Sequence, residues 1–182
     1  DTEAALCQAF IAQVPAEWIV YPETCGWDML LVHRVGGWQI GVEAKKTLNA
    51  KVIVQAMVQN HQQGPDFRAL LVGRVIAENA VIARKLGLTV ITPVSPKPEP
   101  DWGEWQFAPK PKQGPSFPKF SPELPTAERI NQVGSFFKTW GREKWPDHFP
   151  AERHKLPDYI PEVAAGVPSP MVLSDWKINA MR

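Results

Sequence analysis

The chain has 182 residues, with 20 Lys+Arg against 19 Asp+Glu and 19 prolines. That length buries a core without staples. The 2 cysteines, Cys7 and Cys25, make no disulfide framework and point to a reducing, cytoplasmic location, and no apolar run approaches a bilayer span of ~18 residues. A net charge of +1 offers no strongly positive field, so any nucleic-acid contact has to come from local patches.

Taken in chain order, residues 3–14 carry Leu6, Phe10 and Val14 at helical spacing. A strand is expected near Trp18 to Tyr21, and residues 27–35 and 38–45 read as two more. Gly36-Gly37 between those two is a hairpin-turn signal. Asn49 is placed to cap a helix over 50–63, ended by Gly64-Pro65. Residues 68–75 are a strongly apolar strand, 78–86 a short helix stopped at Gly87, and 88–94 a last strand. The order α, β, β, β, α, β, α, β is that of a mixed α/β sandwich.

After residue 96 the texture changes. Residues 1–96 hold 5 of the 19 prolines and residues 97–182 hold 14. The stretch 96–125 reads as an extended, proline-rich connector. Thr126 is placed to cap a helix over about 127–141, and residues 171–182 are helical in pattern. The chain begins at Asp1 and stops inside that last pattern, which suggests a processed chain or a fragment. The division expected is a core over 1–95, a connector over 96–125 and a small, mostly helical module over 126–182.

The chemistry lies in the central hairpin. A two-residue turn at Gly36-Gly37 pairs Val35 with Trp38, puts Asp28 opposite Lys45 and Leu30 opposite Glu43, and brings Asp28, Glu43 and Lys45 out on one face. Burying charge among apolar neighbours is costly unless the charges pair or bind a metal. Two close carboxylates suit a hard divalent ion such as Mg²⁺. The plainer alternative is a salt bridge from Lys45 to Glu43 or Asp28.

Asp28 followed by Glu43-Ala44-Lys45 resembles the PD-(D/E)xK nuclease superfamily, with Trp27-Asp28 in place of Pro-Asp. The resemblance covers about residues 1–94. It implies a restriction-endonuclease-like αβββαβ core and Mg²⁺- or Mn²⁺-dependent hydrolysis of phosphodiester bonds, DNA first. It makes Asp28, Glu43 and the Ala44 carbonyl metal ligands, and gives Lys45 the attacking water and the phosphate charge. Glu3 fits the place of a first-helix acid, although it equally favours the helix dipole. Glu23 is a rival for the same job. Gln55 matches the first position of a Gln-x-x-x-Tyr pattern of RecB-like members, with Gln59 where the tyrosine would be.

Among possible phosphate contacts, Lys51 lies in the first turn of its helix, whereas Lys46 reads as a surface lysine. Lys138, Trp140, Arg142, Lys144 and Trp145 interleave cations and aromatics in a pattern that could grip nucleic acid, against a plain small core. His148 and His154, with Arg153 and Lys155, read as a solvated basic surface. No phosphate loop, zinc spacing or nucleophile elbow is present. A non-catalytic nuclease-fold module that binds nucleic acid or a partner protein is the first rival reading, a purely structural protein the second. A homodimer or larger complex is left open.

Overall fold

The structure, a computed structural model, describes residues 2–57, 63–94, 119–125, 145–146 and 150–167. Helix α1 spans Glu3–Ile11, capped by Thr2, whose Oγ1 accepts the Ala5 N–H at 3.1 Å. Strands β1 (Trp18–Thr24), β2 (Trp27–His33) and β3 (Gln39–Thr47) follow. Helix α2 (Ala50–Met57) is capped as expected, with Asn49 Oδ1 accepting the Val52 N–H at 3.0 Å. β5 (Phe67–Arg74), α3 (Ala77–Lys85) and β6 (Thr89–Val94) complete the order read from the sequence, after a short β4 (Gln63–Gly64) that was not part of it. Gly87, with φ +77°, supplies the left-handed residue just beyond α3.

Beyond β4, two further strands were not expected. Lys119–Ser121 forms β7 inside the proline-rich stretch, and Glu152–Arg153 forms β8. The main sheet has six strands in the order β1-β2-β3-β5-β6-β7, while β4 and β8 pair separately. β3, β5 and β6 run parallel; β1, β2 and β7 are antiparallel to their neighbours. The protein is therefore an α/β fold built on a mixed sheet.

Each face of the sheet buries its own core. Cys7 and Phe10 of α1 cover Met29, Leu31, Ile40, Val42 and Ala44, and Phe120, Trp145 and Ala165 close the same layer from the far end of the sequence. On the other face, Val52, Ile53 and Ala56 of α2 and Ala80 and Ala83 of α3 cover Trp27, Leu30, Leu70 and Val72. Trp145, a candidate for gripping nucleic acid in the sequence reading, is instead a core residue. Its ring meets Phe67 edge to face at 6.2 Å, and its indole N–H donates to the Glu123 carbonyl at 2.8 Å.

Hairpin turn chemistry differs from expectation. The two-residue turn is at Cys25-Gly26, where Thr24 pairs with Trp27 and both turn residues have positive φ (+56° and +83°), the signature of a type I′ turn. Between β2 and β3 the link is longer: the His33 N–H donates to the Trp38 carbonyl at 2.8 Å, and the Gly37 N–H to the His33 carbonyl at 2.9 Å. Leu30 consequently pairs with Gly41, two positions from the expected partner. A slip of two keeps every side chain on its expected face, because the strand repeat is two. Gly41 also has a packing role, since a side chain there would overlap the Trp27 indole.

The helix read from the sequence over 50–63 is α2 as far as Met57; Gln63 lies in β4 instead, and residues 58–62, with Gln59 and His61, lie outside the described residues. So do His148, the expected helices over 127–141 and 171–182, and Lys138, Trp140, Arg142 and Lys144.

Candidate functional site

The β2–β3 ladder ends at Met29↔Val42. Beyond it the strands part, and the Ala44 N–H is taken by the Asp28 side chain, which accepts at Oδ2 at 2.6 Å. One carboxylate is thus fixed against the backbone between Glu43 and Lys45. Val42 and Ala44 belong to the α1-side core, and Glu43 and Lys45 alternate with them along β3.

Glu43 is 6% exposed and makes no hydrogen bond or ion pair with any described residue. Its carboxyl is pushed up to about 7, first by burial and then by the charges of Asp28 and Glu23, with Lys45 pulling the other way. Burial also raises Asp28, against the Ala44 N–H and Lys45, which favour its charged form. Glu23 is raised by burial, partly offset by the Gly166 N–H. These carboxylates feel one another's charge within one partly water-free corner.

Lys45 does not neutralise Asp28 or Glu43 by direct pairing, as the plain salt-bridge alternative requires. Its Nζ lies 2.9 Å from Glu3 Oε2 on α1. Burial works against its charge, but Glu3, Asp28 and Glu43 outweigh that and hold the ammonium above the ordinary lysine value. Glu3, which the sequence left between a dipole role and a site role, is therefore in the site.

Glu23 enters from β1 in a left-handed conformation, φ +45°, an uncommon state for a non-glycine residue. Its Oε1 accepts the Gly166 N–H at 2.9 Å. Gly166 packs on α1, so a Cβ there would lie 2.8 Å from Cys7 Sγ and 3.3 Å from the Glu3 carbonyl oxygen. Cys7 is fully buried beside this corner, its thiol pushed up to about 12 by burial and by the carboxylates of Asp28, Glu23 and Glu3.

Asp28, Glu43, Lys45, Glu3 and Glu23 are thus brought together. Gln55 and Lys51 lie on the exposed side of α2, and Lys46 is exposed as expected. Of the segment read as a solvated basic surface, Arg153 and Lys155 are exposed and His154 is half-buried. Arg153 pairs with Asp66 at 2.8 Å and lies over the Trp38 ring at 4.6 Å, while His154 Nε2 accepts the Trp27 indole N–H at 3.3 Å. Sequence reasoning missed Gly166 and Cys7 altogether, because neither sits in a local motif.

The donor set suits a hard divalent ion. It offers a buried carboxylate with no ion pair among the described residues, a second carboxylate one of whose oxygens is already held, and the Ala44 carbonyl. Among the described residues no group of three or more His, Cys, Asp or Glu stands in a metal-holding arrangement, so no all-protein cage is present. Mg²⁺ asks for none, since it keeps several waters and takes one or two carboxylates. Among the described residues no helix is long and apolar enough to cross a membrane. Comparison with known protein families, with curated proteins and with solved structures gave no match.

Proposed function

We propose that this chain is a divalent-metal-dependent nuclease of the PD-(D/E)xK type, hydrolysing phosphodiester bonds of DNA. The observation that carries the reading is Glu43, a nearly buried carboxylate with no ion pair among the described residues, beside Asp28 and with Lys45 two positions on. A structural salt-bridge cluster would have paired Lys45 with it, since an unpaired buried charge is expensive. The element order around the site supports the same reading.

Asp28 and Glu43, with the Ala44 carbonyl, would hold Mg²⁺ or Mn²⁺, which supplies a water of lowered pKa and neutralises charge developing on the phosphate. Lys45, kept protonated by its acidic neighbours, orients the water and places a positive charge at the scissile phosphate rather than taking a proton. Glu3 holds the ammonium in position. Glu23, steadied by Gly166, keeps the local field negative and raises the need for a cation.

The test is cleavage of single-stranded DNA, duplex DNA and RNA with Mg²⁺, with Mn²⁺ and with chelator. Metal-dependent cutting by the wild type, lost in Lys45→Ala while binding persists, is the expected result. No cutting of any substrate with either metal overturns the reading. A salt-sensitive affinity without cutting then assigns the chain to the non-catalytic, binding reading instead.

A further inference from the structure

A groove of about 410 Å³ lies between α1 and the carboxyl ends of the parallel strands. Its floor is regular. Lys46, Gly73 and Pro93 are each the penultimate residue of their strand, and Phe120 of β7 pairs with Pro93. Gly73 has no side chain and leaves the middle of that floor open. Ala5 and Leu6 of α1 form a wall.

The groove shares two elements with the carboxylate site. On β3, Lys46 follows Lys45. On α1, Thr2 lines the groove and precedes Glu3, which holds the Lys45 ammonium at 2.9 Å. The carboxyl ends of parallel strands are also where open α/β sheets take their ligands.

The lining is mostly apolar, and its one charged side chain is Lys46. The same strand ends carry two further cations. Arg74 is the last residue of β5, and Lys119 opens β7 opposite Val94, the last residue of β6. Lys46, Arg74 and Lys119 are exposed, and none has an ion pair among the described residues. From β3 to β7 they spread over three strand spacings, about 14 Å. Against them stand Glu78, in the first turn of α3, and Glu3, which Lys45 already pairs. The edge is therefore basic.

We infer that this groove is a nucleotide subsite: it takes the base beside the scissile phosphate, and Lys46, Arg74 and Lys119 hold the phosphates that follow. The inference rests on the nuclease reading and names its substrate as a strand unpaired at that position, since a base held in a pair cannot enter the groove. The volume lies within the ~300–1,000 Å³ of small-ligand pockets. An apolar lining accepts the face of any base without reading sequence. Cations spread along an edge suit a charge that recurs, as phosphates do; an amphiphile with one anionic head would use Lys46 alone.

The experiment is fluorescence anisotropy of a labelled oligodeoxythymidylate and of a blunt duplex over a salt series, with Ca²⁺ in place of Mg²⁺ to hold off cutting. Ala5→Phe fills the groove from an exposed position of α1. It should weaken the single strand about 5- to 150-fold, the range that one lost base contact implies, and leave the duplex unchanged. Lys46→Gln, Arg74→Gln and Lys119→Gln should each lower the single-strand salt slope by about 0.7, the value of one phosphate contact. Lys85→Gln, in the last turn of α3, should not. All these variants should melt like the wild type. Ala5→Glu, which suits the first turn of a helix, repeats the groove test if Ala5→Phe melts lower.

Unchanged single-strand affinity in Ala5→Phe and Ala5→Glu overturns the inference. So does an equal loss on the duplex, or a salt slope that the three cation variants leave alone. Decanoate that raises the wild-type melting temperature, with no single-strand binding, gives the groove to an amphiphile and overturns it as well. Single-strand binding that depends on Ala5 and Lys46, without cutting in Mg²⁺ or Mn²⁺, keeps the groove as a nucleotide site and removes the nuclease reading. Cutting indifferent to Ala5→Phe and Lys46→Gln does the reverse. No cutting and no binding of either probe removes both.

Discussion

Asp28 Oδ2 accepts the backbone N–H of Ala44 at 2.6 Å, across the point where β2 and β3 separate. A side chain has taken the place of the next rung of the ladder. Glu43 and Lys45 flank Ala44 and are therefore set beside Asp28 by one backbone contact, from which Lys45 reaches on to Glu3. The parting of the strands and the placing of the chemistry are one event.

That relationship separates two substitutions at Asp28. Asn keeps an oxygen for the Ala44 N–H, whereas Ala leaves the donor unpaired at a cost of about 1–3 kcal/mol. Asp28→Asn should melt within a few degrees of the wild type, and Asp28→Ala should melt lower, at about 2–4 °C per kcal/mol for a chain of this size. Both should lose metal-dependent cutting. Equal melting temperatures for the two variants would remove the Ala44 bond from the stability of the fold.

Glu43 gives a pH dependence whose sign is fixed. Its carboxyl titrates near 7 in the folded chain against an ordinary value of 4.5. The folded state therefore binds the extra proton between those values, and stability falls as pH rises through that window. The full effect is about 3 kcal/mol. Without divalent metal, the melting temperature should drop between pH 5 and pH 7.5, and Glu43→Gln should flatten the drop. Mg²⁺ at pH 7.5 should restore stability to the wild type and do nothing for the Gln variant. A wild type whose metal-free stability rises across the window would contradict the buried, unpaired carboxylate.

The Glu3–Lys45 pair is about two-thirds withdrawn from water, with side chains 28% and 30% exposed. Such a pair contributes little to stability, about 0.2–1 kcal/mol. Glu3→Gln should therefore melt nearly like the wild type. Its effect should fall on Lys45, whose ammonium loses both a hydrogen bond and a charge and should titrate lower. NMR of the Lys45 Nζ group across the alkaline range checks this. An unchanged titration would show that Asp28 and Glu43 alone hold the charge.

The regular elements were legible because periodicity and punctuation are local. Asn49 before an apolar helix face, Gly87 after one, and alternating or apolar runs for β2, β3 and β5 each carry their own signal. The turns were less legible. Gly36-Gly37 has the composition of a tight turn, yet the two-residue turn forms at Cys25-Gly26, where cysteine takes a left-handed conformation that its type rarely adopts. The register error of two left the site intact only because the strand repeat is also two. Asp28, Glu43 and Lys45 could be read because their spacing lies within one hairpin. Gly166 could not, since it meets Glu23 across 143 positions. Arg153 is exposed as read, but its partners Asp66 and Trp38 were hidden for the same reason, being distant in sequence.

Gly166 offers a final prediction that isolates its own segment from the rest of the fold. Its φ of +71° favours glycine, and a Cβ would crowd both Cys7 Sγ at 2.8 Å and the Glu3 carbonyl oxygen at 3.3 Å. Gly166→Ala should therefore cost about 1–3 kcal/mol through backbone strain and displacement of its segment from α1. Cys7→Ala removes the nearer obstacle. In a double-mutant cycle, Gly166→Ala should cost less in the Cys7→Ala background, by a coupling of about 0.5 kcal/mol or more. Strictly additive losses would mean that the left-handed backbone alone carries the cost, and that Cys7 and Gly166 are not in the packing contact from which Glu23 takes its position.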